Sequence, residues 1–585
     1  MTITAPSDLS SPVKESMLSP TIHVLIDRCA GCQECIVRCP TQALHMDPVT
    51  WTAVGDDQLC VGCRQCERTC PYSAIFVDGP QLVAARVSLE TVHPDQLTFD
   101  RSETRRAITN WHEALDEASR CLDCPDPTCV RGCPAHNDIP GFIRALRSGD
   151  LDEAHKVLRR TTYLPDICSR VCDQAVQCEG SCSWSLAGSS PVAIGALERF
   201  IADNAPVPPI EVAEAAKTDR APRVAIVGSG PAGIAAAATL RAGGADVTVF
   251  ERDSTPGGLL IWGIPDFTLP EQVARRPWEH LLEAGVHLHT NHNVNAEELK
   301  SLADDFDAVV VAAGASVAMR APVPGSDLEG VCDATEFLQA ARLAIASGTP
   351  MAALAPKALS ASAPADTRPA RVLVLGAGNT AMDVARSARR LGAQATCIDW
   401  MDRRFAPVRP DELDEATTEG VEVRFSTTLR RLLGEDGHVS EAELAETVQH
   451  KASKRPKVLE SKTSRIQVDM VVMAMGYRID SDIAKLGGDV PVAKKTQGFP
   501  DRRWLASGLL ANPAPPAARY QPVGLLALGR EKGEAQAAYP RGKHTWFAGD
   551  SLVGPSTVVE AMAQGKVAAA AILASLSPGE PDGRR

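Results

Sequence analysis

The chain has no run of about eighteen consecutive apolar residues, so no membrane-spanning helix is expected. It also lacks a surplus of positive charge. Its 60 Lys and Arg stand against 73 Asp and Glu, a formal net charge of -13 at pH 7. That argues against nonspecific nucleic-acid binding and suits a basic partner, if any. The first twenty residues lack the apolar core of a signal peptide and read as a disordered tail, so a cytoplasmic location is expected. What the sequence does not lack is cysteine. There are 18, and all but Cys332 and Cys397 fall in four tight groups before residue 183. A disulfide scaffold would be short and secreted; grouped thiols in a reducing compartment hold metal. Cys332 and Cys397 read as small buried residues.

Cys29, Cys32, Cys35 and Cys39 are spaced C-x2-C-x2-C-x3-C before Pro40, and Cys60, Cys63, Cys66 and Cys70 repeat that spacing before Pro71. This is the bacterial ferredoxin run, in which the fourth cysteine ligates the other cluster. One [4Fe–4S] cluster is therefore expected on Cys29, Cys32, Cys35 and Cys70, and a second on Cys60, Cys63, Cys66 and Cys39. Paired zinc knuckles would leave the third closely spaced cysteine and the repeated proline unexplained.

A second pair of groups follows at looser spacing: Cys121, Cys124, Cys129 and Cys133, then Cys168, Cys172, Cys178 and Cys182. Zinc remains a more credible alternative there. Apolar residues at helical spacing (Phe142 and Leu146, then Leu151, Ala154 and Leu158) predict helices around them. The segments CLDCPDPTCVRGCP, ICSRVCDQAVQCEGSC and VAIGALERF resemble the N-terminal domain of the glutamate synthase small subunit, and the resemblance runs over roughly 105–575. It implies that Cys121, Cys124, Cys129 and Cys182 hold one cluster. It implies Cys133, Cys172 and Cys178 for the other, with Glu198 as a non-cysteine fourth ligand. Counting cysteines alone would choose Cys168.

After a proline- and alanine-rich linker (203–222), the texture becomes strand, glycine turn, helix, twice over. Gly228, Gly230 and Gly233 follow the strand at 223–227, and a second strand ends in Glu251. The glycines let backbone amides approach a pyrophosphate at a helix N-terminus, and the acid accepts a ribose hydroxyl. The resemblance implies FAD here. Gly257, Gly258 and Leu259 look like the flavin-binding turn, 262–270 like a substrate-facing loop, and 309–314 like the return strand. Gly549, Asp550 and Thr557 look like the C-terminal flavin contacts, with a helix beginning near Ser556 aimed at the flavin pyrimidine ring. The second fingerprint is Gly376, Gly378, Asn379, Thr380, Ala381 and Asp383, on the strand at 371–375. Its nucleotide is NAD if Asp399 bonds the ribose. It is NADP if Arg403 and Arg404, which resemble the family's paired arginines, clasp a phosphate; NADP is favoured. Neither Cys332 nor Cys397 has a close partner, which argues against disulfide-reductase chemistry.

The expected architecture is multidomain, α+β and α/β. A ferredoxin-like 2[4Fe–4S] domain (21–85) precedes a helical iron–sulfur domain (86–215). Two Rossmann-like dinucleotide-binding domains follow, one inserted in the other: FAD (220–345 and 486–585) and NAD(P) (370–485). The expected cofactors are FAD, NADP or NAD, and four [4Fe–4S] clusters. The expected activity is electron transfer between NAD(P)H and ferredoxin or a ferredoxin-dependent enzyme such as a 2-oxoacid oxidoreductase, in a hetero-oligomer. The alternatives are a glutamate synthase small subunit feeding a larger one, and a non-catalytic redox sensor. No general acid or base is required, and none is named.

Overall fold

The computed structural model describes residues 19–89, 91, 94–213, 221–350, 368–481 and 544–576. The expected tail before 19, the linker's 214–220, most of the loop 346–369, and the segments 482–543 and 577–585 lie outside the described residues.

The duplicated cysteine spacing folds as a duplicated unit. The first strand of one repeat, Thr21–Val24, pairs antiparallel with the last strand of the other, Ile75–Asp78. The inner strands, Leu44–Met46 and Ala53–Gly55, pair likewise. Gly31 and Gly62 hold equivalent left-handed conformations, with φ 64° and 72°. An added Cβ would meet a backbone carbonyl oxygen at 2.5 Å in each case, so only glycine fits these turns.

Residues 111–204 form seven short helices. Asn110, Asp138 and Asp150 start three of them, each accepting a backbone N–H three residues on, the usual N-cap bond. Phe142, Leu146, Ala154 and Leu158 are buried as their spacing predicts.

Two five-stranded parallel sheets follow. In the first the order is 544–547, 308–311, 223–227, 246–250, 287–289; in the second it is 331–333, 470–473, 371–375, 394–398, 422–424. The second is inserted between the last two strands of the first. Val331–Asp333, assigned above to the first nucleotide unit, pairs with Val471–Met473 and so opens the second sheet instead. A three-stranded antiparallel sheet, Thr427–Glu435, His438–Val448 and Lys457–Gln467, was not foreseen.

The helix Val558–Leu576 qualifies the membrane expectation. Its 19 residues are long and apolar enough, by length and composition, to cross a membrane. Alanines interleaved with Glu560, Gln564 and Lys566 carry that hydropathy without an unbroken apolar run. Val559, Met562, Ala569 and Ile572 are buried in the core shared with the helix Pro231–Ala242. One face of the helix is thus packed into that core.

Candidate functional site

Two cavities in the ferredoxin unit are each lined by four thiols. Cys29, Cys32, Cys35 and Cys70 line one; Cys39, Cys60, Cys63 and Cys66 line the other. The fourth cysteine of each run thus faces the other run's three, as the spacing predicts. Backbone N–H groups of Ala43 and Ala74 donate to the sulfurs of Cys39 and Cys70, both at 3.2 Å. Such bonds favour the thiolate that ligates iron. Among the described residues, no three His, Cys, Asp or Glu side chains are gathered tightly enough to grip a single metal ion. Four thiols around a cavity, spread wider than one tetrahedral ion requires, fit a cubane.

The helical unit repeats the theme. Cys129 lies within electrostatic reach of Cys182, Cys121 and Cys124. Burial pushes the Cys121 thiol up to about 11 and the Cys124 thiol up to about 12, so a metal taken up there would displace protons. Cys133, Cys172 and Cys178 meet around Glu198. Glu198 is buried, and its Oε1 has no hydrogen-bond partner among the described residues. Burial beside Asp166 pushes its carboxyl up to about 8. A buried carboxylate oxygen left unpaired is costly unless something binds there. Cys168 also lies within reach of Cys133, but its thiol is hydrogen-bonded with that of Cys172 and lies 3.9 Å from the Thr162 hydroxyl. The donor set fits a cluster with Glu198 as a ligand.

The four groups form a sequence in space. Cys124 lies within electrostatic reach of Cys63, and Cys178 within reach of Cys129. The docking of the ferredoxin unit sets the first approach. Arg38 donates to Asp126 at 2.6 Å, Gln65 to the Asp126 carbonyl at 3.1 Å, and Gln81 to the Ala187 carbonyl at 2.7 Å. Cys168 and Cys172 then pack in the flavin-side core with Ala232, Leu260 and Met562.

In the first nucleotide unit, Gly228 has φ 104° and would strike the Ala312 carbonyl oxygen with a Cβ, at 2.4 Å. Gly233 would strike that of Gly228 at 2.1 Å, whereas Gly230 faces open space beside the start of the helix Pro231–Ala242. The loop is closed behind and open in front, which fits a pyrophosphate. Glu251 is buried; it accepts the Ser229 N–H at 3.0 Å and the Asp253 N–H at 2.8 Å. Ser229 Oγ in turn accepts the Gly257 N–H at 2.8 Å, tying the turn of Gly258 and Leu259 to the glycine loop. Gly549 adopts φ 68° before the short helix Asp550–Val553. Asp550 accepts the Ser556 N–H at 3.0 Å. The long helix starts at Val558; Thr557 caps it, its N–H and hydroxyl both donating to Glu560.

The second loop copies the first. Gly376 has φ 113°, and Gly378 faces open space before the helix Asn379–Arg390, in which Thr380 is the second residue. Asp399 accepts the Ala377 N–H at 2.9 Å and the Met401 N–H at 2.7 Å, the pattern seen at Glu251. Arg403 and Arg404 are both exposed, and Arg404 is held bidentately by Asp402 at 2.8 and 2.9 Å. Of the two, Arg403 is the one not engaged in that pair. Cys332 and Cys397 are buried in the core of the second unit, both as free thiols.

The sequence reading missed a buried charge network behind this loop. Arg386 and Arg390 are fully buried, grip Glu419 and stack on the ring of Phe267, at 4.5 and 3.7 Å. Arg386 also donates to Thr104 at 2.9 Å, and Arg105 pairs with Glu412 and Glu415. Only the helical spacing of these residues could have signalled it, and that spacing equally describes a solvated face.

Comparison with known proteins agrees with this arrangement. Residues 28–74 match the 4Fe-4S dicluster domain family, 99–207 match dihydropyrimidine dehydrogenase domain II with its 4Fe-4S cluster, and 222–501 match pyridine nucleotide-disulphide oxidoreductases. AegA of Escherichia coli (strain K12) is 30% identical over 96% of this chain and 82% of its own length. The glutamate synthase [NADPH] small chain of Azospirillum brasilense is 33% identical over 62% of this chain and 75% of its own. The NAD-dependent dihydropyrimidine dehydrogenase subunit PreT of E. coli (strain K12) is 34% identical over 53% and 70%.

Proposed function

Because this chain belongs to the glutamate synthase small-chain-like family of FAD-dependent, iron–sulfur NAD(P)H oxidoreductases, we propose that it moves electrons between NADPH and a separate redox protein, ferredoxin or a ferredoxin-dependent enzyme. The observation that carries this reading is the spatial series of four thiol groups. It starts against the flavin unit at Cys172 and ends at Cys32 on the surface. An internal store of electrons has no use for an exposed terminus.

In this reading Gly228, Gly230 and Gly233 admit the FAD pyrophosphate, and Glu251 and Asp550 orient its sugar and phosphate side. Thr557 caps the helix Val558–Leu576, whose positive N-terminal end would favour reduced flavin. FAD held there would supply hydride exchange with the nicotinamide and single-electron exchange with the clusters. Four clusters are proposed: on Cys29, Cys32, Cys35 and Cys70; on Cys39, Cys60, Cys63 and Cys66; on Cys121, Cys124, Cys129 and Cys182; and on Cys133, Cys172, Cys178 and Glu198. Gly376, Gly378, Asn379 and Thr380 seat the nicotinamide nucleotide. Arg403, which unlike Arg404 is not held by Asp402, is the cation proposed for a 2′-phosphate, and the small chains' NADPH use supports that choice.

A second reading, delivery of NADPH electrons to a glutamate-forming subunit, is favoured by the match to glutamate synthase small chains. The ferredoxin unit argues for the first. Anaerobic titration with NADPH and NADH, with iron analysis, tests the core of both. Flavin bleaching at lower NADPH than NADH and about sixteen irons per chain are expected, at about four per cluster. About eight irons would remove one cysteine pair. Recovery of a large amidotransferase subunit in a native pull-down would select the second reading.

A further inference from the structure

The ferredoxin unit is a two-fold repeat whose two faces are used differently. On the second repeat, Gln65, Arg68 and Gln81 are turned to the helical unit. Gln65 is 1% exposed and bonds the Asp126 carbonyl. Arg68 lies among Cys63, Cys66 and Cys124. Pro80, whose carbonyl closes over Gly62, leads into Gln81, which bonds Ala187. Cys63 is 8% exposed beneath them.

The first repeat places its counterparts in solvent. Cys32, at the Cys63 position, is exposed. Val37, at the Arg68 position, is 67% exposed. The carbonyl over Gly31 belongs to Trp51, whose side chain is 65% exposed although its backbone has φ 56°. Val49 beside it is 85% exposed, and Tyr72, which lines the Cys29/Cys32/Cys35/Cys70 cavity, is 51% exposed. The charges flanking this face are Asp27, half-buried Asp47 at the base of the Val49–Trp51 turn, and Glu34, which pairs with Arg38 at 3.0 Å, against Arg28. Asp47 is held ionised by the N–H groups of Thr50 and Val49.

We propose that this free face, Cys32 ringed by Val37, Val49, Trp51 and Tyr72, is the docking surface for a one-electron carrier protein that presents an apolar centre inside a positively charged rim. The proposal rests on the reading above that electrons leave at this end. The docked face supplies the template: a partner there brings its own Cys124 beside Cys63. An external carrier at the free face meets Cys32 in the same position. One NADPH reduces two such carriers, releasing NADP+ and one proton, with one electron crossing per docking event.

The test uses the full-length holoprotein, mitochondrial cytochrome c as a lysine-rimmed probe and flavodoxin as an acidic one. Trp51→Asn suits the left-handed backbone, and Val37→Lys places a positive charge on the rim. Each is expected to weaken binding of oxidised cytochrome c to immobilised holoprotein roughly tenfold, and to slow its NADPH-driven reduction as much. Iron content and ferricyanide reduction are expected to stay unchanged. Wild-type binding is expected to weaken steeply as salt rises from about 20 to about 200 mM. Unchanged binding in both variants, or tighter binding of flavodoxin than of cytochrome c, would overturn the proposal. Absence of any flavin reduction by NADPH would instead sink the functional reading, while the binding measurement still decides the surface.

Discussion

Glu198 and Cys168 compete for one role, and their surroundings differ in kind. Glu198 carries an unpaired buried oxygen facing three thiols; Cys168 already has Cys172 and Thr162 as neighbours. An unmet buried carboxylate costs about 1–3 kcal/mol, which a metal bond removes. Glu198→Ala is therefore expected to lose about four irons per chain, and Cys168→Ser none, as measured by metal analysis with electron paramagnetic resonance of the reduced protein. Iron loss from Cys168→Ser alone would exchange the two assignments. The cysteines were legible in the sequence because tight spacing is itself the signal. Glu198 had no such spacing and was reachable only through the resemblance. Arg404 shows the converse: its type and place suggested a phosphate clasp, but a neighbour two residues away, Asp402, holds it.

The element on which flavin retention turns is the helix Val558–Leu576, which crosses the helix Pro231–Ala242 at close range. Gly565 is the contact point: an added Cβ would lie 2.1 Å from the Ala232 carbonyl oxygen. Backbone cannot swing aside as a side chain can, so Ala232 would be pushed, and with it the adjoining Gly230 and Gly233. Gly565→Ala is expected to destabilise the protein by about 1–3 kcal/mol and to lower the flavin-to-protein absorbance ratio after gel filtration. Full retention of FAD would show that the loop tolerates the shift. Strand–loop–helix units were legible here because buried parallel strands read as short apolar runs beside glycine turns. The membership of Val331–Asp333 was not. A three-residue strand has no pattern of its own, and only pairing with Val471–Met473 assigns it. The sheet 427–467 was missed for a related reason: Lys457–Gln467 is mostly exposed along its length and so carries little alternation.

Across the whole molecule, the nicotinamide unit is bound to the rest by charge rather than by apolar surface alone. Glu419 holds both Arg386 and Arg390, and those arginines lie against Phe267 of the flavin unit and Thr104 of the iron–sulfur unit. Arg409 adds a bond from the same side to the Val171 carbonyl at 3.3 Å, next to Cys172. Desolvation works against the charge on both arginines, and Glu419 offsets it; the pairing holds the Glu419 carboxyl below its usual range. Breaking such a buried set from one side leaves uncompensated charge and costs about 3–5 kcal/mol. Glu419→Gln keeps the shape but leaves the 0%-exposed Arg390 guanidinium without a carboxylate, while Arg386 keeps Glu415. It is expected to lower the unfolding free energy by about that amount, seen as an earlier denaturation midpoint. Removing both ends, as in Glu419→Gln with Arg390→Met, is expected to recover part of the loss. If the single variant unfolds no earlier than wild type, the three units are held by apolar contact. If it unfolds in two steps, with nucleotide binding lost before the iron–sulfur absorbance, the network is what makes the three units one cooperative body.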